Sequence, residues 1–212
     1  MQSKTYWNRK FLQSPVIYNG RSLFLNNRTI LPVPIDVRHF IQASDFFLER
    51  ITKEEGIWSM SSAEDKALAC LRFVMRNVTY VSDKQSYGID EFWTFPNETL
   101  ALKKGDCEDL SILVASLMRN ARVPAHRIKV AAGWVVAGKN APLGGHAYPL
   151  FLRNDDEWVT LDPCYYPNDL PVANRKPVKN DSNYKDVWFT FNDEYSWSNK
   201  PVTVVKSVKN IK

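Results

Sequence analysis

One stretch constrains the fold more than any other: an apolar helical stripe that begins directly after a Gly-Asp-Cys turn. Leu110, Leu113, Val114, Leu117 and Met118 recur at i, i+3, i+4, i+7 and i+8, which is the spacing of a buried helix face. The stripe predicts a helix that starts around Asp106 or Cys107, ends near Asn120 and is closed off by Pro124. Such a face needs a partner surface, and three strand-like segments follow it. They are Ile128 to Val136, His146 to Leu152 and Trp158 to Leu161. Asn154-Asp155-Asp156 offers a turn between the last two, so a hairpin is expected there. The fold class that follows is α+β, a helix packed on an antiparallel sheet.

Upstream, Asp36 offers an N-cap to a helix carrying Val37, Phe40, Ile41, Phe47, Leu48 and Ile51 on one face. Ser61 with Glu64 has the spacing of a capping box before a second helix, marked by Ala67, Leu71, Val74, Met75 and Val78. Ser82 to Lys104 reads as a wrapping loop. Residues 1–35 hold short β-prone runs such as Pro15-Val16-Ile17-Tyr18 and no helical period. They read as an extended arm or an edge strand. The expected organisation is an N-terminal extended arm at 1–35, one α+β domain at 36–197 and a basic C-terminal tail at 198–212.

The chain has 212 residues, and its 44% hydrophobic content is enough for a core. The net charge of +5 is scattered except for Lys200, Lys206, Lys209 and Lys212 at the end. A solvated terminus accounts for those, so no nucleic-acid partner is expected. No apolar run approaches the ~20 residues that cross a bilayer, so no membrane partner is expected either. The opening MQSKTYWNRKFLQSP lacks the apolar core of a signal peptide. Three cysteines, Cys70, Cys107 and Cys164, are too few and odd in number for a disulfide framework. These features together imply a cytoplasmic setting, with a virion as the alternative.

Cys107 at a helix start is suited to nucleophilic chemistry. The thiolate is the reactive form, and the free amides and positive end of a helix favour an anion there. The same amides suit a developing oxyanion. A thiolate is best served by a histidine, and the histidine by an orienting carboxylate. His146 follows Gly144-Gly145 on one strand, and Asp162 ends the next, before Pro163. Pairing of these strands makes His146 and Asp162 neighbours, and a helix on the same sheet can present Cys107 to them.

Trp93-Thr94-Phe95-Pro96-Asn97-Glu98-Thr99-Leu100 followed by Gly105-Asp106-Cys107-Glu108-Asp109-Leu110 resembles the nucleophile segment of bacterial transglutaminase-like cysteine proteinases. Val123-Pro124-Ala125, Gly133-Trp134-Val135, Gly145-His146-Ala147 and Leu161-Asp162-Pro163 match in order and rough spacing. The resemblance covers about residues 60–167. It implies a papain-like core with a Cys107–His146–Asp162 triad and a peptide or amide substrate. Two departures stand out: adhesin-cleaving members are exported, with no export signal visible here, and Leu110 stands where an aromatic is common. In the calcium-dependent members, acids at positions matching Asp106 and Glu108 bind calcium, which makes these two the candidate metal ligands. No other cofactor is expected. Negative charge beside Cys107 opposes thiolate formation, so a cation or a protonated His146 has to offset it.

Trp93 is a candidate for the wall of the substrate cleft or for oxyanion support, against a plain anchoring role. Cys70 reads as core, Cys164 as packing, and His39 and His126 lack neighbours at zinc spacing. The aromatic run Trp188, Phe189, Phe191, Tyr195 and Trp197 reads as a cover for the core or a protein contact. Three functions remain open: a peptidase or amidase, a cross-linking transglutaminase, and an assembly protein of a larger particle such as a phage virion. The last would meet its partners through the terminal arms.

Overall fold

The computed structural model describes residues 12–25, 29–136, 141–201 and 203–205. In chain order the strands and helices are β1 (Leu12–Gln13), β2 (Val16–Leu25), β3 (Thr29–Asp36), α1 (Phe46–Glu54), α2 (Ala63–Asn77), β4 (Thr79–Tyr80), α3 (Asp83–Tyr87), α4 (Pro96–Leu102), β5 (Lys104–Gly105), α5 (Cys107–Asn120), β6 (Ile128–Val136), β7 (Leu143–Leu152), β8 (Trp158–Thr160), β9 (Tyr184–Phe191), β10 (Ser196–Ser198) and β11 (Thr203–Val205). Six of the strands form one antiparallel sheet in the order β1-β10-β9-β6-β7-β8. The expected α+β architecture, a nucleophile helix on an antiparallel sheet, is the one observed.

Helix α5 is the centre of the molecule. It packs on β6 and β7 on one side and on α1 and α2 on the other. Its apolar stripe is therefore only part of its buried surface, since Ile112, Ala115, Ser116 and Asn120 are buried too. The two polar residues are satisfied. Ser116 Oγ accepts the Gln42 amide at 3.1 Å, and the Asn120 side chain bonds Asp45 N at 3.0 Å and Gln42 O at 2.7 Å. These bonds fix the 42–45 segment against the helix.

That segment also breaks the first expected helix in two. Asp36 caps only the 3-10 turn Val37–Phe40, and α1 starts afresh where the Asp45 side chain accepts Leu48 N. The cap of α2 is Ser62 rather than Ser61, its hydroxyl accepting Glu64 N and Asp65 N. The stretch from Ser82 to Lys104 is not one loop. It holds α3, capped by Ser82, and α4, which starts with Pro96 at its first position, where the missing N–H costs nothing.

The described part of the N-terminal segment is no detached arm. β2 and β3 form a hairpin, β11 adds to β2 in parallel, and β1 pairs with β10. Val16 and Tyr18 are fully buried in the main core. Their alternation with Ile17 is a strand pattern, in which every second side chain turns inward. Both chain ends, as far as they are described, therefore pair within the domain, so the boundaries at 36 and 197 cut through its structure. The rest of the arm and most of the basic tail, 1–11 and 206–212, lie outside the described residues. The aromatic run is part of the same sheet, with Phe189 and Phe191 in the core. No helix of the described residues is long and apolar enough to cross a membrane.

Candidate active site

Cys107 opens α5, with Asp106 as the residue before the first turn. The turn into the helix is tight. Asp109 Oδ2 accepts Asp106 N at 3.3 Å and Asp109 Oδ1 accepts Thr94 N at 2.7 Å. A side chain at Gly105 would put its Cβ 2.6 Å from Asp109 Cβ, so glycine is needed for the close approach rather than for an unusual φ. Ser111, one turn on, ties the nucleophile to the sheet. Its hydroxyl lies 2.6 Å from Cys107 O and 3.1 Å from Ala147 O on β7.

His146 lies on β7 opposite Gly133 of β6. The strand starts at Leu143, three residues earlier than expected, and its partner β8 pairs Leu150 with Thr160. Continuing that register sets Asp162 opposite Tyr148, on the same face of the sheet as His146 two residues away. His146 Nε2 lies 2.8 Å from Asp162 Oδ2, and His146 Nδ1 has no hydrogen-bond partner among the described residues. The Ala147 amide donates to Cys107 Sγ at 3.5 Å. Cys107, His146 and Ala147 line one cavity of about 530 Å³. The structure thus places Cys107 and His146 on one cavity and pairs His146 with Asp162.

Asp162 is held by groups that no sequence pattern marked. Oδ1 accepts the amides of Cys164 at 2.8 Å and Tyr165 at 3.2 Å, and Oδ2 accepts the Tyr184 hydroxyl at 2.9 Å. The Tyr165 ring stacks on His146 with centroids 4.0 Å apart. Tyr184 comes from β9, far along the chain, and only the sheet order makes it a neighbour. Tyr184→Phe removes one of the bonds that aim the carboxylate. We expect a roughly tenfold drop in kcat/KM carried by kcat, the scale of one hydrogen bond to a charged group, with KM unchanged. An unaltered kcat would show that the hydroxyl is dispensable.

Trp93 lines the cavity and is also a core residue, 2% exposed. Its ring stacks on Tyr18 and Phe191. Its indole N–H is donated to Glu91, which lines the same cavity, so that donor is already engaged.

The electrostatics around the thiol run against the helix-start expectation. Burial first and the Asp106 charge second push the Cys107 thiol up, while the Ala147 amide pulls it down. The sulfur also sits 3.3 Å from Glu108 Oε2. Glu108, Asp106, Asp109, Asp83 and Glu91 crowd the same region. Burial is the main cause that raises all five. Asp83 reaches about 8, and Glu91 and Asp109 about 7. Asp106, Cys107 and Glu108 place ligand atoms within 4.8 Å of one another, and so do Asp83, Asp106 and Asp109. Asp106 Oδ1 and Glu108 Oε1 are buried without a hydrogen-bond partner among the described residues. Asp83 and Glu91 gave no signal in sequence, lying in what read as a loop. All three cysteines are free thiols, Cys70 buried and Cys164 part-buried.

A central cysteine helix on an antiparallel sheet carrying a His–Asp pair defines a cysteine-based enzyme class. Residues 52–163 match the transglutaminase-like superfamily, and the chain belongs to it. No curated protein matches the chain. Two solved structures of Legionella pneumophila LapG share the fold. Each is 16% identical with a TM-score of 0.52 and covers 77% of this chain; the EGTA-treated form is covered over 84% of its length and the other over 86%. A calcium-bound form of LapG is 19% identical at a TM-score of 0.46, covering 72% of this chain and 87% of its own.

Proposed function

We propose that the protein cleaves amide bonds in a protein or peptide substrate through a thioester on Cys107, with His146 as proton shuttle and Asp162 as its orienting group. The observation that carries this reading is the His146–Asp162 pair at 2.8 Å, with Nδ1 unpartnered among the described residues and His146 and Cys107 lining one cavity. A carboxylate accepting from Nε2 keeps the proton on that nitrogen and leaves the Nδ1 lone pair as a base. Nδ1 takes the thiol proton as sulfur adds to the carbonyl carbon. The amides of the first turn of α5, which have no intrahelical partner, suit the resulting oxyanion. Collapse breaks the C–N bond as His146 returns the proton to the leaving amine. Water, deprotonated by His146, then releases the acid and restores the thiol. An amine in place of water would make the same thioester a cross-linking intermediate.

Iodoacetamide labelling followed by mass mapping tests the reading. Cys107 should react much faster than Cys70 and Cys164 near neutral pH in the presence of millimolar calcium. Equal rates at the three thiols would end it. Fluorescent-amine incorporation into casein, dependent on Cys107, would move the assignment to the transferase.

The acidic set fits a hard cation, which takes carboxylate oxygens. Asp83, Asp106, Asp109 and Glu108 would hold calcium, and bound there it would offset the negative charge beside the thiol. Without it the acids oppose folding at high pH. A carboxyl whose pKa rises on folding from about 4 binds more protons in the native state between the two values, so stability falls as pH rises through them. In excess chelator the melting temperature should therefore fall from pH 5 to pH 8, as Asp83, Glu91 and Asp109 ionise at about 7–8. Millimolar calcium should restore it at pH 8. A melting temperature at pH 8 that ignores calcium would remove the metal from the reading.

A further inference from the structure

The cavity over Cys107 has a wall that the chemistry does not use. Thr203, Val204 and Val205 of β11 line it together with Trp188 and Gly145. Successive side chains of a strand point to opposite faces, and here Val204 is 45% exposed while Val205 packs on the core. Three consecutive residues can all line one cavity only if the cavity meets the strand at its edge. Among the described residues β11 is the outermost strand of its sheet, with order β11-β2-β3. β2 occupies its other edge and contributes nothing to the cavity wall.

The register says which main-chain groups face the cavity side. β11 runs parallel to β2, with Thr203 opposite Val16 and its amide bonded to Pro15 O at 3.1 Å. In a parallel pair, alternate residues turn their N–H and C=O to the same neighbour. Thr203 and Val205 therefore face β2, and the N–H and C=O of Val204 face the edge that no described strand covers.

We infer that this edge is the docking strand for the substrate: an extended stretch of polypeptide adds to β11 beside Val204 and so lays its main chain across Cys107. The inference rests on the amide-cleaving reading and adds what kind of substrate suits it. Only an extended main chain, unpaired in its own structure, has free donors and acceptors to match a strand edge. A helix or an interior strand has already used its own. The preferred substrate is then a linker or unfolded segment of a protein, recognised through its backbone, with side chains meeting the Trp188 wall.

The test uses the full chain and chloromethyl ketones of acetylated alanine peptides, one to four residues long. Alanine keeps side-chain contacts minimal, so any gain with length reports the backbone. The second-order rate of Cys107 modification, mapped by mass, should rise about tenfold from one to four residues, the scale of two net hydrogen bonds. Val204→Pro should abolish the gain, because it removes the outward N–H and sets a ring on the edge. Proline is tolerated at such an edge, since the N–H it removes is not in the ladder. Val204→Ala should keep the gain. Iodoacetamide should modify Cys107 at the same rate in all three proteins, which separates docking from reactivity. If the gain survives in Val204→Pro, or if wild type shows none, β11 is not the docking strand. If instead Cys107 is no more reactive than Cys70 toward iodoacetamide, the amide-cleaving reading itself has failed. A concentration-dependent dimer that Val204→Pro dissolves would assign the edge to a second copy of the chain and overturn the proposal.

Discussion

On the proposed chemistry, His146→Ala will lower the rate of amide cleavage by about a thousandfold and that of Cys107 alkylation at neutral pH several-fold. The first figure is the usual scale for losing a positioned base that also returns the proton. The second is smaller because alkylation needs only the thiolate. The asymmetry is diagnostic. The Cys107 thiol is already pushed up by burial and by Asp106, and the substitution removes the base proposed to take its proton. Asp162→Asn should act on the same step through the tautomer: an amide that can donate toward Nε2 no longer favours a proton there. The two losses should not add, because both substitutions disable one unit. Steady-state rates of the single and double variants decide this. Independent, additive losses would argue that His146 and Asp162 do not act together.

Tyr18→Ala will destabilise the domain by about 3–5 kcal/mol, the range for emptying a large aromatic site in a core. For a chain of this size that corresponds to a fall in melting temperature of roughly 10 °C. Tyr18 is fully buried and stacks on Trp93 with centroids 5.1 Å apart. Its hydroxyl accepts Trp93 N at 3.0 Å. The same hairpin sends Arg21 to Trp93 O at 3.1 Å and to the Glu98 carboxylate. The N-terminal strands thus brace the segment that leads into the nucleophile, so their loss should reach the site. Tyr195→Ala, at a 44% exposed aromatic, should cost about 0.5 kcal/mol or less. Thermal melts of the two variants make the comparison. Equal, small effects would return the hairpin to the status of a dispensable arm.

The parts that were legible in sequence share one physical property: their signals are local. The stripe from Leu110 to Met118 marked α5, because a buried helix repeats its apolar residues every turn. Cys107 at its start, His146 in β7 and Asp162 after β8 followed from strand connectivity, since a hairpin of that length returns the end of one strand to the start of the other. The strand pattern Val16-Ile17-Tyr18 was visible too, but not which surface it would bury.

What only the tertiary structure decided depends on contacts between distant parts of the chain. The cap of α1 moved to Asp45 because Asn120 and Ser116 of α5 hold residues 42–45 in place. Tyr184 meets Asp162 because β9 lies beside β6 in the sheet. Asp83 and Glu91 join Asp106, Glu108 and Asp109 because the chain between α2 and α5 folds back over the helix start. The closure of the chain also opposes the helix-start effect at Cys107: a helix start alone favours the thiolate, whereas burial first and the Asp106 charge second push the thiol up. The residue types at the site were set along the chain, whereas its charge balance came from how the chain closes, because electrostatic energy depends on distance and burial rather than on sequence spacing.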